Sequence, residues 1–298
     1  MAGEFDFIQW IAAQNRAGNL VQLGVGDDLA VLNWPADDLL LVGVDQVLEG
    51  VHFDSAVHSP RQIGKKAINR SVSDCAAMGC LPAAAVATVA LPKHFSLDQA
   101  KELYLGMRQA AEAFDCPIVG GDTAAWDGKL IATVTILGRT SGIRPVARSG
   151  AKAGDRIFVT GPLGGSILGR HIEFVPKVAL GRELAALASA MIDISDGLSR
   201  DLGHICRCSG VGAILQAESV PIHPDAVELS RRDGRAALEH ALHDGEDYEL
   251  LYTTSRPTAP GICIGRIVEK PGMWLQDERK NLRALEIAGW QHVWGSAP

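Results

Sequence analysis

Three apolar runs of strand length alternate with two sharply signalled helix starts in the first 140 residues, and this alternation restricts the chain to mixed α/β folds. The runs are Leu39–Val44, Ala85–Leu91 and Leu130–Gly138. Between them, Ser59-Pro60-Arg61-Gln62 and Ser96-Leu97-Asp98-Gln99 each place a hydroxyl at an N-cap position and a glutamine three residues later, the pattern of a capping box. Pro60 falls where a helix has no use for its N–H. The first of these helices is expected to reach Met78 and stop at Gly79, and the second to reach Phe114. A shorter helix is expected over Phe5–Ala13.

The second half alternates in the same way. Strands are expected at Arg156–Thr160, Tyr248–Thr253 and Ile262–Val268. Helices are expected over Lys177–Ala190, from Ser195 or Asp196 to Cys208, and over Pro224–Arg232 and Arg235–Leu242. A chain of 298 residues is long for a single core. The turn-like Ser141–Pro145 marks a boundary, giving two expected domains, 1–143 and 144–298.

Within this frame the conspicuous residues are aspartates. Ile118-Val119-Gly120-Gly121-Asp122-Thr123 runs from an apolar entry through two glycines to an acid. Paired glycines let phosphate oxygens approach main-chain N–H groups. An acid beside such a site makes sense once a hard cation stands between two anions; the plain alternative is a tight turn with a polar tip. Acids recur at Gly26-Asp27-Asp28, Val44-Asp45, Ser73-Asp74 and Asp193-Ile194-Ser195-Asp196-Gly197. Each has a modest explanation of its own. Asp27 and Asp28 suit a solvated turn, Arg70 stands one helical turn before Asp74, and Asp196 suits an N-cap. Asp193 follows Met191 and Ile192, and capping does not explain it. Together the five acidic points suggest several Mg²⁺ ions organising a polyphosphate.

Other chemistries find little support. A net charge of −7 argues against non-specific nucleic-acid binding. The phosphate-binding motif Gly-x-x-x-x-Gly-Lys-Ser/Thr is absent, and Gly161–Gly165 has the wrong spacing for a dinucleotide fingerprint. The six cysteines form no Cys-x-x-Cys pair and read as reduced thiols. The first residues lack the pattern of a signal peptide, and no run approaches the roughly 20 apolar residues of a membrane span. The expected setting is the cytoplasm.

The motifs occur in a telling order. Gly24-Val25-Gly26-Asp27-Asp28, Glu49-Gly50-Val51-His52-Phe53, Ser73-Asp74, Gly120-Gly121-Asp122-Thr123, Arg148-Ser149-Gly150-Ala151, Asp193-Ile194-Ser195-Asp196-Gly197-Leu198 and Gly245-Glu246-Asp247-Tyr248-Glu249-Leu250 follow one another along the chain. In this the sequence closely resembles the thiamine-monophosphate kinase family, part of a superfamily shared with aminoimidazole ribonucleotide synthetase, selenophosphate synthetase and a hydrogenase-maturation protein.

The resemblance implies a two-domain α/β (α+β) architecture of the aminoimidazole ribonucleotide synthetase type, and a homodimer whose N-terminal sheets pair. It implies phosphoryl transfer from ATP to thiamine monophosphate, yielding thiamine diphosphate. By motif position, Asp28, Asp45, Asp74, Asp122, Asp193 and Asp196 would bind Mg²⁺. Gly121, Asp122, Arg148 and Ser195 would contact ATP, with Asp122, Arg148 and Asp196 at the reacting phosphates. His52, Glu246 and Trp290 would contact thiamine phosphate. Three positions depart from the family pattern: Val44 stands in place of a hydroxyl residue, Ser71 in place of asparagine, and Asp244 in place of glycine. The rival expectations are a different ATP-dependent enzyme of the superfamily, or a regulatory nucleotide-binding relative without turnover.

Overall fold

The computed structural model describes residues 4–14, 18–24 and 30–291, so Asp27 and Asp28 lie outside the described residues. In chain order the elements are α1 (Glu4–Gln14), β1 (Val21–Leu23), β2 (Val31–Leu32), β3 (Leu40–Leu48), α2 (Pro60–Met78), β4 (Leu81–Pro92), α3 (Leu97–Glu112), β5 (Ile118–Trp126) and β6 (Ile131–Arg139). There follow β7 (Arg156–Val159), α4 (Arg170–Glu173), α5 (Val178–Ala185), β8 (Ala190–Asp193), α6 (Leu198–Ser209), β9 (Gly212–Gln216), α7 (Pro224–Asp233), α8 (Ala237–His243), β10 (Leu250–Thr254), β11 (Ile262–Val268), β12 (Gly272–Gln276) and β13 (Leu282–Ala284). The chain divides into two compact units. One comprises 1–75, 80–143 and 172–178, the other 76–79, 144–171 and 179–298.

The first unit is built on a four-stranded sheet of order β3-β6-β4-β5, antiparallel except for the parallel pair β4–β5. Strict alternation along β6 buries Ala132, Val134, Ile136 and Gly138 on one face, the period of a half-covered strand. The Ser71 hydroxyl on α2 donates to the Val134 carbonyl, so α2 lies on that face. Facing glycines bring α2 and α3 together: a methyl on Gly64 would stand 2.0 Å from the Leu103 carbonyl oxygen, and one on Gly106 equally close to that of Arg61. Both helix starts carry the expected cap, with Gln99 N–H on Ser96 Oγ and Gln62 N–H on Ser59 Oγ. The other sheet face leaves Leu40, Val42 and Val44 more than half exposed.

The second unit holds a seven-stranded sheet of order β13-β12-β9-β11-β7-β10-β8. Helix α6 lays Leu198, Leu202 and Ile205 onto its core, with Ile192, Ala213, Leu215, Leu251 and Ile264.

Several local expectations need correction. The strand expected over Leu39–Val44 does not stop before Asp45: β3 continues to Leu48 because all nine of its residues pair with β6. The Gly120-Gly121-Asp122 run is no turn; it lies inside β5, registered against Val86, Ala87 and Thr88 of β4. The helix expected over 177–190 stops at Ala185, since Ala190–Asp193 is taken by pairing with β10. Strands β9, β12 and β13 were not expected. They are short, and one face of each lacks a clear apolar alternation to reveal it.

Candidate functional site

In the first unit, Asp45 and Asp74 lie between β3 and α2. Asp45 Oδ2 accepts the Ser71 hydroxyl at 3.2 Å, and Arg70 Nη2 stands 3.7 Å from its Oδ1. Asp74, half-buried one turn beyond Arg70, has its Oδ2 3.7 Å from where a side chain on Gly43 would begin. The sequence Gly43-Val44-Asp45 therefore presents a carboxylate and an open space to α2, while Val44 points the other way and is 60% exposed. Ser71 serves Asp45 directly.

Asp122 stands apart from this pair. Register links Asp45 to Val134, Ala87 and Gly121 on the covered face, and links Asp122 to Thr88, Thr133 and Gln46 on the open one. Successive strand residues point to opposite faces, so the Asp45 and Asp122 side chains leave the sheet on opposite sides. Asp122 Oδ1 accepts the N–H of Thr123 at 2.9 Å. Gly121 allows β5 to lie close to β4, as a methyl there would stand 2.0 Å from the Ala87 carbonyl oxygen. His52 is buried after β3, its Nδ1 accepting the Leu48 N–H at 3.0 Å, which puts its proton on Nε2. The buried Lys66 ammonium fixes the same turn by donating to the His52 carbonyl at 2.6 Å.

The second unit gathers its residues around the loop from Asp193 to Gly197. Asp193 ends β8 and is buried. Asp196 is not the N-cap of α6; Gly197 occupies that position without a side-chain bond. The capping comes from inside the helix. Asp201 Oδ2 accepts three successive backbone N–H groups, from Ser195, Asp196 and Gly197, at 3.1, 3.0 and 3.1 Å. The carbonyls of the same loop turn outward to other segments. Tyr248 N–H donates to Ile194 O at 2.8 Å, Glu246 N–H to Ser195 O at 2.7 Å, and Trp290 N–H to Asp196 O at 3.0 Å. Gly289 permits the last contact, since a methyl there would stand 2.2 Å from the Asp196 oxygen.

Burial and the neighbouring charges of Asp193 and Asp196 push the Asp201 carboxyl well above the usual carboxylate range, against the pull of its backbone donors. Ligand atoms of Asp196, Asp201 and His204 lie within 4.8 Å of one another. Burial lowers the pKa of His204, helped by Arg148, Arg207 and Arg200 and opposed by Asp196, a shift that favours the neutral imidazole. Asp201 Oδ2 is occupied by the three backbone N–H groups, so a hard divalent cation, which takes oxygen donors, would suit Asp193 and Asp196 and would relieve the repulsion raising Asp201. Arg148 is exposed and close enough for its charge to reach His204.

The Glu246 segment is held in an unusual backbone shape. Glu246 and Tyr248 both have positive φ, 61° and 52°, a conformation that costs non-glycine residues of order 1–3 kcal/mol and clusters at working sites. The bonds to the Asp193–Gly197 loop hold it there. Both Glu246 carboxylate oxygens are engaged: Oε1 accepts the Tyr248 hydroxyl at 3.2 Å, and Oε2 lies 3.3 Å from His171 Nδ1. Asp247 is buried, accepting the Gly164 N–H and Arg170 Nη2, and burial pushes its carboxyl up to about 7. Asp244, the departure from the family pattern, accepts the Gly165 N–H at 3.0 Å and bonds His240 Nδ1 at 2.9 Å. The N–H groups of Gly164 and Gly165 are thus turned to the protein's own carboxylates.

Reading the sequence missed Asp201, His204 and His171. A signal for Asp201 was present: it falls on the apolar stripe Leu198, Leu202 and Ile205 of its helix, where an acid is anomalous. Trp290 is 48% exposed beside Asp196.

Comparison with known proteins bears on the whole chain. The family model "AIR synthase related protein, N-terminal domain" matches residues 26–140. A thiamine-monophosphate kinase of Rhodopirellula baltica is 39% identical over 97% of both chains, and that of Aquifex aeolicus is 31% identical over 97% of this chain and 98% of its own. The crystal structure of the Stenotrophomonas maltophilia thiamine-monophosphate kinase superposes with a TM-score of 0.80 at 33% identity, covering 92% of this chain and 96% of that one. The structure of AaThiL complexed with AMPPCP and TMP gives 0.79 at 30% identity over 98% and 97%. A hydrogenase maturation protein of E. coli shares the fold, with a TM-score of 0.78 at 19% identity over 96% and 98%.

Proposed function

The chain belongs to the thiamine-monophosphate kinase family, and we propose from this that it transfers the γ-phosphoryl group of ATP to thiamine monophosphate. The observation that carries the reading is the Asp193–Gly197 loop, whose backbone ties the acids at 193 and 196 to Glu246 and Trp290. The reaction forms one P–O bond from the acceptor phosphate oxygen to the γ-phosphorus and breaks the bond to ADP. The acceptor is a phosphate monoester with a second pKa near 6, so it is already largely dianionic at neutral pH. No general base is called for. The chain's task is to align two anions and offset their repulsion.

Asp28, Asp45, Asp74, Asp122, Asp193 and Asp196 are the proposed holders of Mg²⁺, which when bound neutralises charge on the phosphate oxygens. The crowding of Asp193, Asp196 and Asp201 supports this for the second unit, and the placement of Asp45 against α2 with Asp74 beside Gly43 supports it for the first. Arg148, Ser195 and Gly121 are assigned to ATP. Arg148 supplies a fixed cation for charge developing in transfer, and its exposure leaves it accessible to a nucleotide. Glu246 and Trp290 suit the cationic thiazolium and flat aminopyrimidine of thiamine, by charge and by ring contact. His52 is assigned to the phosphate end. The proposed homodimer rests on the exposed Leu40, Val42 and Val44, an apolar sheet face of the kind that marks an interface; a monomer in sedimentation at micromolar protein would refute it. The assay is formation of thiamine diphosphate from ATP, Mg²⁺ and thiamine monophosphate. Binding of both substrates without product would favour a regulatory relative instead.

A further inference from the structure

Asp201 is unlike the other acids of the second unit. One of its oxygens takes all three N–H groups of the loop Ser195-Asp196-Gly197, and the side chain is 2% exposed. With those three N–H groups directed inward, the carbonyls of residues 194, 195 and 196 point outward. Each accepts one backbone N–H, from Tyr248, Glu246 and Trp290 respectively. Those acceptors hold segments that lie about 50 and 90 residues further along the chain, one of them strained at two positions. Left without Asp201, three N–H groups, that of Gly197 buried and those of Ser195 and Asp196 part-buried, would lose the one acceptor that fixes them, and the loop could regain protein partners by turning its peptides over. The carbonyls would then turn inward and release Glu246, Tyr248 and Trp290.

We propose that Asp201 is a positioning residue which, through one loop, sets both the cation-binding acids and the thiamine-recognising segments. The inference rests on the function proposed above, and names a residue that acts on substrate and cation through backbone alone. What the role requires is an oxygen acceptor at the Oδ2 position. Asp201→Asn keeps such an oxygen; Asp201→Ala removes it; Asp201→Glu keeps the carboxyl group but displaces the oxygen by one methylene.

The test combines steady-state kinetics with hydrogen exchange of individual backbone amides in the free protein. In Asp201→Ala, the Mg²⁺ concentration for half-maximal rate and the KM for thiamine monophosphate should each rise by about tenfold or more, the scale typical of lost supporting partners. Amides 195–197 should exchange faster, and 246, 248 and 290 with them. Asp201→Asn should stay near wild type in all three readouts, and Asp201→Glu should resemble alanine. Two results overturn the proposal. One is an asparagine variant as damaged as alanine with its amides still protected, which would make Asp201 a direct cation ligand. The other is faster exchange at 195–197 alone with an unchanged KM. If Asp201→Ala does not fold, the Asn and Glu variants decide, because a direct ligand predicts the reverse order of damage. Absence of turnover in the wild-type protein would refute the proposed reaction, while the exchange pattern would still test Asp201.

Discussion

Asp74 and Val44 differ in what a single substitution can reveal. Asp74 sits late in α2, where the helix dipole disfavours a carboxylate by a few tenths of a kcal/mol. Its oxygen borders the space over Gly43. Asp74→Asn is expected to abolish turnover at millimolar Mg²⁺ with the melting temperature nearly unchanged; near-normal turnover would return Asp74 to a structural role. Val44 is the opposite case. A missing hydroxyl there is an obvious suspect on the sequence alone, yet the side chain leaves β3 on the face away from Asp45. Val44→Thr is therefore expected to leave the Mg²⁺ requirement within about twofold, well below the tenfold that 1.4 kcal/mol would bring. A clear drop in that requirement would show that the open face takes part.

At the scale of elements, the starts of α2 and α3 were the most legible part of the chain, because capping is local chemistry. Ser96 and Gln99 form both bonds of the box, and Ser96→Ala is expected to cost about 1 kcal/mol in denaturant unfolding with unchanged kinetics. The glycine-rich stretches said little about their surroundings, for a common reason. Glycine announces a backbone that must come close to something, and does not say to what. At Gly121 the close neighbour is the next strand, and at Gly164 and Gly165 it is the backbone of α8 and of α7. The ends of β3 and α5 were hidden because pairing with β6 and β10 fixes them, and such partners are distant in sequence.

For the whole molecule, residue types and their order along the chain sufficed for fold class and candidate acids, since family motifs keep both. Which acids share a face was not legible, as only register separates Asp122 from Asp45. Nor was buried charge visible. Asp247 is raised from 3.8 to about 7 by burial, so the folded state keeps a proton that the unfolded chain has released over that interval. Stability contributed by this group is full below about 4 and declines as pH rises toward 7. Melting temperature against pH should therefore fall less steeply across that window in Asp247→Asn than in the wild type. Parallel curves would mean that Arg170 and Gly164 keep the carboxylate ionised throughout.

The loop between β8 and α6 also has a thermodynamic corollary. Its peptide groups are shared: a single set of bond directions fixes at once the acids proposed to hold Mg²⁺ and the segments proposed to recognise thiamine. Two ligands that each favour the same arrangement of one loop must help each other, and by linkage the help is equal in both directions. Calorimetry should find that saturating Mg²⁺ tightens thiamine-monophosphate binding by about fivefold or more, and that saturating thiamine monophosphate tightens Mg²⁺ by the same factor. Independent binding constants would mean that the two halves of the site share peptides without sharing energy.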